Sequence, residues 1–366
     1  MNKEKTGFKI AIVGDTLSGG GAERVHARLS EFLYSKGIEV HNIIFNDKVE
    51  YEFNGFLENL GKIPDRTKIN KIQKVYALRN YFRKHQFDFV IDFRCRVNNI
   101  NELLIFYFAY NCPVIYTVRS GIIEYYIPKN NLIKRLIYKR AKAILTVSKR
   151  ITDLLQKEFK IPVVTIYNPL DLEKIKNLST LFIPEEKNYI VAVGRMNDKV
   201  KQFDKLIEAY SKSVLPQRDV RLLILGEGQY LDELVLLVKQ KKLVDKVIFK
   251  GYQNNPQAYQ KRALFSVLSS KNEGFPNVII ESLAVGTPVV SFDCFTGPNE
   301  IIIHHHNGLL VEDQNIEKLA DAMNLMVEDQ KLYQFCKQNA TSSIQKFSIE
   351  NIGQQWLDLL QIHTKL

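Results

Sequence analysis

Cysteine is scarce in this sequence. Its 366 residues include four cysteines, Cys95, Cys112, Cys294 and Cys336, and none belongs to a Cys-x-x-Cys pair. Widely spaced single cysteines provide neither a disulfide framework nor a zinc site of the Cys-x-x-Cys kind. We therefore expect reduced thiols, as in a cytoplasmic protein.

Long apolar runs are also missing. No uninterrupted run reaches the roughly 18 residues that are needed to cross a bilayer. The N-terminal stretch MNKEKTGFKIAIVGD has no apolar segment of signal-peptide length. The sequence therefore predicts a cytoplasmic protein whose contact with a membrane, if there is one, is peripheral on the inner face of the cytoplasmic membrane.

Acidic side chains are too few to balance the basic ones. The 40 Asp and Glu residues face 51 Lys and Arg residues, which gives a net charge of +11. This charge favours anionic partners such as nucleotides, phospholipid surfaces or nucleic acids. Aromatic residues are not interleaved with a basic stripe, as they are on surfaces that bind single strands, so nucleic acid is not expected.

Short β-rich apolar runs alternate with amphipathic helical stretches along most of the chain. This alternation predicts an α/β protein in which helices cover both faces of parallel sheets. The clearest helix follows Gly21, with apolar residues on one face and Gly37 at its end. The strand-like runs begin at Phe8, Val40, Phe87, Pro113 and Ala143, and again at Tyr189, Arg221, Lys246, Leu264, Pro288 and Gly308.

A polar stretch divides the two series of strands. It contains Asn168-Pro169 and Pro184 and has no apolar periodicity, so we place the linker there. The sequence therefore predicts an N-terminal domain over residues 1–170, a C-terminal domain over residues 185–345, and a final helix over residues 346–366 with the only tryptophan, Trp356. Two domains imply a cleft.

Glycines and charged side chains cluster where the predicted strands end. In open parallel sheets, ligands bind outside the carboxyl ends of the strands, so these loops hold the candidate binding residues. They comprise Gly14 with Ser18 to Glu23, Arg94 and Arg96, Arg119, Gly194 and Arg195, Gly226 to Gly228, Tyr252, and Glu273 to Pro276.

The glycine run from Gly19 to Gly21 precedes a predicted helix, whose first N–H groups attract phosphate. It is not a P-loop, because Gly20 stands where that motif needs Lys. It is not a dinucleotide fingerprint either, because Arg24 replaces the third glycine. A phosphate site and a tight strand-to-helix turn both fit this run.

Two pairs of charged residues fit a sugar nucleotide. Arg195 and Lys201 could converge on a diphosphate and stabilise the charge that builds on it as a sugar leaves, or they could be solvated loop residues. Glu273 in a loop and Glu281 about one turn into the next helix could face one sugar and one ribose. A structural capping role is the alternative for these two carboxylates.

A series of motifs follows in order along nearly the whole chain. They are GGGAERV at Gly19, YNPLD at Tyr167, VGRMNDKVKQFDKLIEAY at Val193, LGEGQYLDEL at Leu225, VIFKGYQNNP at Val247, SSKNEGFPNVIIESLAVGTPVV at Ser269, GPNEII at Gly297 and NGLLV at Asn307. Together they resemble the retaining GT-B glycosyltransferases of family 4, the group 1 type of surface-polysaccharide and lipid-linked glycan biosynthesis. The glutamate motif from Ser269 is the most specific of them.

The resemblance implies two Rossmann-like domains facing a central cleft and a C-terminal helix that crosses back to the first domain. The second domain would hold the donor nucleotide and the first the acceptor. The implied activity is that of a hexosyl- or N-acetylhexosaminyltransferase, which moves a sugar from a nucleoside-diphosphate sugar, by preference a UDP-sugar, to a saccharide or lipid-linked saccharide. Anomeric configuration would be retained, with the departing phosphate taking the acceptor's proton and with neither cofactor nor metal.

Carried onto this sequence, the resemblance assigns the diphosphate to Arg195 and Lys201, the ribose to Glu281, and the transferred sugar to Glu273. The predicted catalytic residues are Arg195, Lys201, Glu273 and Arg119. The predicted donor site consists of Gly20, Gly21, Gly194, Arg195, Lys201, Gly226, Tyr252, Gln253, Glu273, Gly274, Phe275, Pro276, Asn277, Val278 and Glu281. The predicted acceptor side consists of Glu23, Arg94, Arg96, Arg119 and Tyr125.

One position departs from the family pattern. Many members have a histidine after the strand that reads PVIYTV here, whereas this chain has Arg119 followed by Ser120. Arg119 could hold the donor phosphate or an anionic acceptor, or lie on the surface, and its place at a strand end favours the cleft. The adjacent His304, His305 and His306 point in different directions and fit a loop better than a metal site.

The segment YYIPKNNLIKRLIYKRAK, from Tyr125 to Lys142, combines apolar residues at helical spacing with basic ones. Such a helix suits an anionic membrane surface and a lipid-linked acceptor, and an ordinary packed helix with a solvated basic face fits equally well. The membrane interpretation requires that charge reversal at Lys134, Arg135 and Lys139 reduce liposome binding. The basic residues of the segment are Lys129, Lys134, Arg135, Lys139, Arg140 and Lys142.

Two other functions share parts of this pattern. Sugar-nucleotide 2-epimerases have the same architecture, but the glutamate motif argues against that reaction. A non-catalytic binder of nucleotide sugars is supported by the positive charge alone. Hydrolysis of free donor would distinguish a catalyst from a binder.

Overall fold

The computed structural model of the chain describes residues 7–64, 67–97, 99–139 and 141–361. Two compact units are present, one formed by Met1–Pro169 with Ile349–Leu366 and the other by Leu170–Ser348. Each unit contains a parallel sheet with helices on its faces, so the predicted α/β class is confirmed. Residues 1–6 and 362–366 of the predicted domains lie outside the described residues.

The sheet of the first unit is parallel, and its described strands lie in the order β3-β2-β1-β4-β5-β6-β7. The register places Val13 opposite both Ile43 and Asp92, which aligns the carboxyl ends of the central strands. The strands are β1 Lys9–Gly14, β2 Glu39–Ile44, β3 Phe56–Asn59, β4 Phe89–Asp92, β5 Val114–Val118, β6 Ala141–Thr146 and β7 Val163–Thr165.

Helices cover both faces of this sheet, as right-handed crossovers between parallel strands require. Its helices are α1 Gly21–Ser35, α2 Lys68–His85, α3 Asn99–Leu104, α4 Asn131–Tyr138 and α5 Lys149–Gln156, and α3 continues as a π-helical turn over Ile105–Ala109. In α1, Val25, Leu29 and Leu33 are buried against the sheet, as their spacing predicted. The turn after α1 ends at Gly37, also as predicted.

The second unit repeats the architecture with described strands in the order β10-β9-β8-β11-β12-β13, all parallel. The strands are β8 Tyr189–Val193, β9 Arg221–Leu225, β10 Val247–Phe249, β11 Ser266–Leu268, β12 Val289–Phe292 and β13 Gly308–Val311. The helices are α6 Leu172–Leu178, α7 Phe203–Lys212, α8 Leu231–Gln240, α9 Pro256–Arg262, α10 Asn277–Ala284, α11 Pro298–Ile301, α12 Ile316–Glu328 and α13 Gln330–Ser343. Residues of α7, α8 and α12 form one apolar core with the sheet, while Tyr259 and Ala263 cover its other face.

The last helix, α14 (Ile349–Leu360), belongs to the first unit, as the resemblance implied. Trp356 is buried in that unit's core, with its ring centroid 6.4 Å from that of Phe93. Gly353 permits close packing on α1, because a Cβ there would lie 2.3 Å from the ring of Phe32. The helix therefore completes the core of the N-terminal unit.

Two local predictions differ from the structure. β3 was not among the predicted strands, because it is an edge strand in which Phe56 and Leu57 are exposed and no apolar alternation marks it. The basic segment after Tyr125 is helical only over α4, because Asn130 caps the helix start and the chain enters β6 at Ala141. Arg140 of that segment lies outside the described residues.

Candidate active site

The carboxyl ends of β8 and β11 form the switch point of the second sheet. These strands are neighbours, but the chain continues from β8 toward one edge of the sheet and from β11 toward the other, which leaves a crevice for ligands. Lys201 follows β8 and Glu273 follows β11, and here Lys201 Nζ lies 2.6 Å from Glu273 Oε1. The structure thus brings together two of the predicted catalytic residues.

Hydrogen bonds from the loop after β11 to backbone carbonyls of the loop after β8 position Lys201. Ser269 Oγ donates a hydrogen bond to the carbonyl of Lys201 at 2.8 Å, and the N–H of Lys271 donates to the carbonyl of Val200 at 2.8 Å. The aliphatic part of Lys201 crosses Gly194, where a Cβ would lie 3.1 Å from Lys201 Cγ. Arg195, next to Gly194, is exposed.

The loops after β8, β9 and β10 are joined by hydrogen bonds. Gly194 N–H donates to Leu225 O at 2.9 Å, and Gly226 N–H donates to Gly251 O at 2.8 Å. Gly226 has φ +137°, and a Cβ there would lie 1.9 Å from Gly194 O, so only glycine allows this approach. Tyr252 follows with an exposed ring.

The glutamate motif turns from β11 into α10 around buried backbone from Gly274 to Pro276. Gly297, at φ +102°, lies directly behind this turn, because a Cβ there would be 2.6 Å from Pro276 Cδ. The ring of Phe275 packs edge-on against Phe347, with centroids 5.1 Å apart. α10 begins at Asn277, and Pro276 provides no side-chain cap to its first N–H groups.

Glu281 lies one turn into α10 and is buried. Gln257 on α9 donates a hydrogen bond from Nε2 to Glu281 Oε2 at 3.2 Å. On α10, the carbonyl of Val278 also accepts a hydrogen bond from Nε2 of Gln260, a residue of α9, at 3.0 Å. A buried carboxylate held by an amide can accept hydrogen bonds from the two hydroxyls of a ribose. Gln253, also assigned to the donor, donates instead to the carbonyl of Lys250 at 2.7 Å.

The first sheet has its own switch point between β1 and β4. Asp15 follows β1, and its Oδ2 accepts a hydrogen bond from the N–H of Cys95 at 3.0 Å. Burial raises the pKa of the Asp15 carboxyl above its usual value. Asp15 was not among the predicted site residues, although a polar residue directly after the first strand is the signal that would have found it.

The glycine run lies at the start of α1 in this first unit. Gly20 precedes the helix and Gly21 begins it, while the carboxylate of Glu23 folds back over Gly20, where a Cβ would lie 2.0 Å from Glu23 Oε2. Gly20 and Gly21, which were predicted to bind the donor, therefore belong to the first unit, whereas Lys201 and Glu273 belong to the second.

Arg94 and Arg96, which were predicted on the acceptor side, are both buried among internal partners. Arg94 Nη2 donates to Asp92 Oδ2 at 2.8 Å and to Glu102 Oε2 at 2.9 Å. Arg96 donates to the carbonyl of Tyr126 at 3.0 Å, to that of Arg94 at 2.9 Å and to that of Thr117 at 2.7 Å. These guanidinium groups hold loops of the first unit in place.

Arg119 is also buried, which excludes the surface alternative. Its Nη2 donates to Asn168 Oδ1 at 2.5 Å, and its guanidinium carbon lies 5.1 Å from the centroid of the Phe93 ring. Among the described residues, Nε and Nη1 have no hydrogen-bond partner. Burial lowers the pKa of Arg119 to about 10. Tyr125, the remaining residue of the predicted acceptor side, has an exposed side chain.

Lys134 and Lys142 do not extend into solvent as the basic-helix interpretation assumed. Lys134 pairs with Glu158, and Lys142 lies in β6 with its ammonium 4.5 Å from the centroid of the Phe89 ring. Lys129, Arg135 and Lys139 are exposed. None of the helices that the structure describes is both long enough and apolar enough to span a bilayer.

No metal centre is found within the described ranges, because they bring no three His, Cys, Asp or Glu side chains into a metal-binding group. His304 Nδ1 instead accepts a hydrogen bond from the N–H of Leu310 at 3.1 Å, and His305 stacks on His304. The four cysteines are free thiols.

Comparison with known proteins gives consistent matches over nearly the whole chain. Residues 19–174 match the family model described as Glycosyltransferase Family 4, and residues 173–343 match Glycosyl transferases group 1. The chain is 34% identical over 370 residues to the N-acetylgalactosamine-N,N'-diacetylbacillosaminyl-diphospho-undecaprenol 4-alpha-N-acetylgalactosaminyltransferase of Campylobacter jejuni, with 96% of this chain and 99% of the relative covered. A second enzyme of that organism, which adds GalNAc in α-1,4 linkage to a diNAcBac-PP-undecaprenol-linked saccharide, is 28% identical, with 96% and 98% covered.

The fold has close structural relatives as well. HepE of Anabaena in complex with UDP superimposes with a TM-score of 0.77 at 19% identity, and the match covers 97% of this chain and 100% of HepE. This likeness establishes the two-unit GT-B architecture.

Proposed function

Because the chain belongs to the family 4 glycosyltransferases of the group 1 type, and is therefore a sugar-transferring enzyme, we propose its substrates and stereochemistry. The proposed donor is a UDP-sugar, by preference a UDP-N-acetylhexosamine. The proposed acceptor is a saccharide linked through a diphosphate to a membrane lipid. The sugar is transferred with retention of its anomeric configuration.

The pair formed by Lys201 and Glu273 carries this proposal. It places a cation and a carboxylate 2.6 Å apart at the switch point of the second sheet. A sugar bound to a diphosphate presents hydroxyl groups beside an anionic leaving group, and this pair complements both. Arg195 adds a second cation on the same loop, and buried Glu281 provides acceptor atoms for the ribose.

In the proposed reaction, the bond between the anomeric carbon and the terminal phosphate oxygen breaks as the acceptor hydroxyl forms the new glycosidic bond on the same face. The departing phosphate takes the proton of that hydroxyl, so no side chain has to act as a nucleophile. Lys201 and Arg195 stabilise the charge that develops on the diphosphate. Glu273 orients the sugar through its hydroxyls.

The nature of the acceptor is supported by the two Campylobacter relatives, whose names describe transfer to undecaprenyl-diphosphate-linked saccharides. Both match this chain over nearly its full length, so the half that is proposed to bind the acceptor is included in the similarity. Enzymes that elongate such acceptors work at a membrane surface, and a peripheral location on the inner face of the cytoplasmic membrane is part of the proposal.

The donor is tested by a thermal-shift and hydrolysis screen of the purified protein with UDP-, GDP- and ADP-sugars. We expect UDP and one UDP-sugar to raise the melting temperature, and Arg195→Ala and Glu281→Ala to abolish the shift. Arg218→Ala is the matched control, because Arg218 is an exposed arginine of the same unit that pairs with Glu328. If only GDP or ADP raised the melting temperature, the donor would be a GDP-sugar or an ADP-sugar and not a UDP-sugar.

A test of retention and of the acceptor requires the product of the transfer reaction. The donor identified in the screen is incubated with a lipid-linked N-acetylhexosamine saccharide, and the anomeric proton coupling of the product is read by NMR. An α-configured donor should give an α-linked product. A β-linked product would overturn retention, and conversion of the UDP-sugar to its C2 epimer without transfer would favour the epimerase alternative.

A further inference from the structure

Two glutamines of α9 hold the helix of the glutamate motif. Gln257 and Gln260 are three residues apart and therefore share one face of α9. Val278 and Glu281 share one face of α10 for the same reason. Gln257 donates from Nε2 to Glu281 Oε2 at 3.2 Å. Gln260 donates from Nε2 to the carbonyl of Val278 at 3.0 Å. The two hydrogen bonds together fix how α10 lies against α9.

The helix α9 is itself fixed on the second sheet, so the amide of Gln257 extends from a firm support. Tyr189, at the start of β8, donates from its hydroxyl to the carbonyl of Tyr259 at 2.8 Å. Thr287, which follows α10, donates from Oγ1 to the carbonyl of Gln260 at 2.8 Å. Both glutamines and the carboxylate that one of them contacts are at most 3% exposed, so close packing limits their rotamers.

The two glutamines differ in the kind of group that they hold. Gln260 contacts a main-chain carbonyl, whose direction is already determined by the helix to which it belongs. Gln257 contacts a side-chain carboxylate, and the last torsion angle of a glutamate has only a broad preference, so a fixed donor decides the orientation of Glu281. The amide of Gln257 is neutral, and it therefore orients this carboxylate without cancelling its charge.

We propose that Gln257 is a positioning residue for the donor nucleotide, which orients the Glu281 carboxylate so that it accepts hydrogen bonds from both ribose hydroxyls. This deepens the proposed function and rests on its assignment of Glu281 to the ribose. The consequence is selectivity for a ribose over a deoxyribose, because a nucleotide without the 2′-hydroxyl loses a hydrogen bond to a charged acceptor. Once Gln257 no longer holds the carboxylate, the two nucleotides become more alike to the site.

Isothermal titration of the full chain with UDP and with 2′-deoxy-UDP tests this proposal. The wild type should bind UDP at least about tenfold more tightly, which is the lower end of what a hydrogen bond to a charged group contributes. Gln257→Met keeps the length of the side chain and removes the donor. The affinity for UDP should then fall about tenfold and that for 2′-deoxy-UDP less than about threefold, so that the preference shrinks to about threefold or less.

Gln260→Met is the matched control, because Gln260 lies on the same face of α9, is equally buried and also donates to α10. Its loss disturbs the packing of the two helices but leaves the contact with Glu281, so the preference for UDP should equal that of the wild type. If Gln257 served packing alone, Gln257→Met would weaken both nucleotides equally and leave the preference unchanged, and that result would overturn the proposal.

Gln257→Asn repeats the test with a polar side chain in case the methionine variant does not fold. Asparagine keeps the amide but is one methylene shorter, so its donor does not reach Glu281, and the same loss of preference is expected. In donor hydrolysis, the Gln257 variants should raise KM and keep kcat within about twofold, because a ribose is held alike in the ground state and the transition state. A fall in kcat without a change in KM would contradict a role at the ribose.

Failure of this inference is distinguishable from failure of the proposed function. If the wild type bound UDP and 2′-deoxy-UDP equally, Glu281 would not hold the ribose, and the proposed donor site would fail together with the inference. If the wild type preferred UDP and both Gln257 variants kept that preference, the inference alone would fail. Should the donor screen select GDP or ADP, that nucleotide and its 2′-deoxy form take the place of the uridine pair.

Discussion

At the scale of single residues, the ion pair of Lys201 and Glu273 gives the most direct prediction about catalysis. The two residues are 72 positions apart, yet their charged atoms meet at the switch point of the second sheet. Replacing Lys201 with Met keeps the length of the side chain and removes the cation that is proposed to face the leaving diphosphate. We expect kcat to fall by about 100-fold, which is typical for loss of one preorganised electrostatic group.

Lys199→Met provides the comparison on the same loop. Lys199 also forms an ion pair, with Glu233, but both of its members are well exposed. Steady-state transfer by this variant should stay within about twofold of wild type, because exposed pairs contribute little. Equal losses in the two variants would show that the loop, and not the position of Lys201, is responsible.

Gly226 gives a prediction about stability at the proposed donor site. With φ +137° and a Cβ only 1.9 Å from Gly194 O, Gly226→Ala forces two strand-end loops apart. We expect a loss of about 2–4 kcal/mol in the free energy of unfolding and a loss of UDP binding. Gly286→Ala also places alanine at positive φ, +82°, but its nearest neighbour is 3.9 Å away, so it should lose only about 1 kcal/mol and keep UDP binding. Denaturant titrations with and without UDP measure both quantities.

The buried imidazole of His26 leads us to predict that the free energy of unfolding depends on pH. It is completely buried, its Nε2 lies 3.1 Å from Asn42 Oδ1, and burial lowers its pKa to about 4 from the ordinary 6.5. As pH falls, the unfolded chain binds a proton at this histidine near pH 6.5 while the folded chain does not, so stability falls until about pH 4. At pH 5 the loss is about 2 kcal/mol relative to neutral pH.

The variant His26→Gln isolates this contribution, because glutamine keeps a donor for Asn42 and does not titrate. Its free energy of unfolding should fall about 2 kcal/mol less than that of wild type between pH 7 and pH 5. His41, whose pKa is also lowered by burial, is present in both proteins and cancels in the difference. Parallel pH profiles would contradict the assignment to His26.

At the scale of elements, Arg96 connects the loops that follow β4 and β5. Its guanidinium donates to the carbonyls of Arg94, Thr117 and Tyr126, and to the hydroxyl of Tyr138 at 3.1 Å. Arg96→Met preserves the bulk of the side chain but leaves these buried oxygens without their donor. We expect a loss of about 3–5 kcal/mol, since unpaired buried polar groups are expensive. Arg83→Met, on an exposed part of α2, should change the denaturation midpoint little.

At the scale of the whole molecule, the parallel sheets could be predicted from sequence because their buried strands are short apolar runs. The runs starting at Tyr189, Arg221 and Lys246 became β8, β9 and β10 with shifts of a residue or less at their starts. β3 could not be predicted in this way, because it lies at the sheet edge with exposed side chains and is fixed by pairing with β2. The helix predicted between Tyr125 and Lys142 is longer than α4 for a similar reason, because the residues from Ala141 onward pair with neighbouring strands as β6.

For the site, sequence indicated which loops matter but not what each side chain contacts. Lys201 and Glu273 were identified because both follow buried strands, and the fold brings them together. Arg94 and Arg96 have the same pattern, yet Glu102, Tyr138 and distant carbonyls satisfy them inside the first unit. Partners of this kind come from other elements, and no local spacing reveals them. The predicted roles of the donor residues stay predictions until ligands are bound.

The return of α14 to the first unit makes the two units unequal in their dependence on the C-terminus. Ile352, Trp356, Leu357 and Leu360 are all buried in the core of the first unit, whereas the core of the second unit is formed within Leu170–Ser348. Burial of each such side chain contributes roughly 1.5–3 kcal/mol, so the four together approach the whole stability of a domain. A protein that ends at Ser348 should therefore unfold in its first unit and keep a folded second unit.

Limited proteolysis and calorimetry measure this difference. The chain ending at Ser348 should yield a protected fragment that begins near Leu170, with one calorimetric transition lost and the remaining one still raised by UDP. A chain ending at Leu360 keeps all of α14 and should behave as wild type. If the shorter chain instead unfolded in one transition at the wild-type temperature, α14 would not be needed for the core that it completes. If its remaining transition were insensitive to UDP, the second unit would not be sufficient to hold the donor.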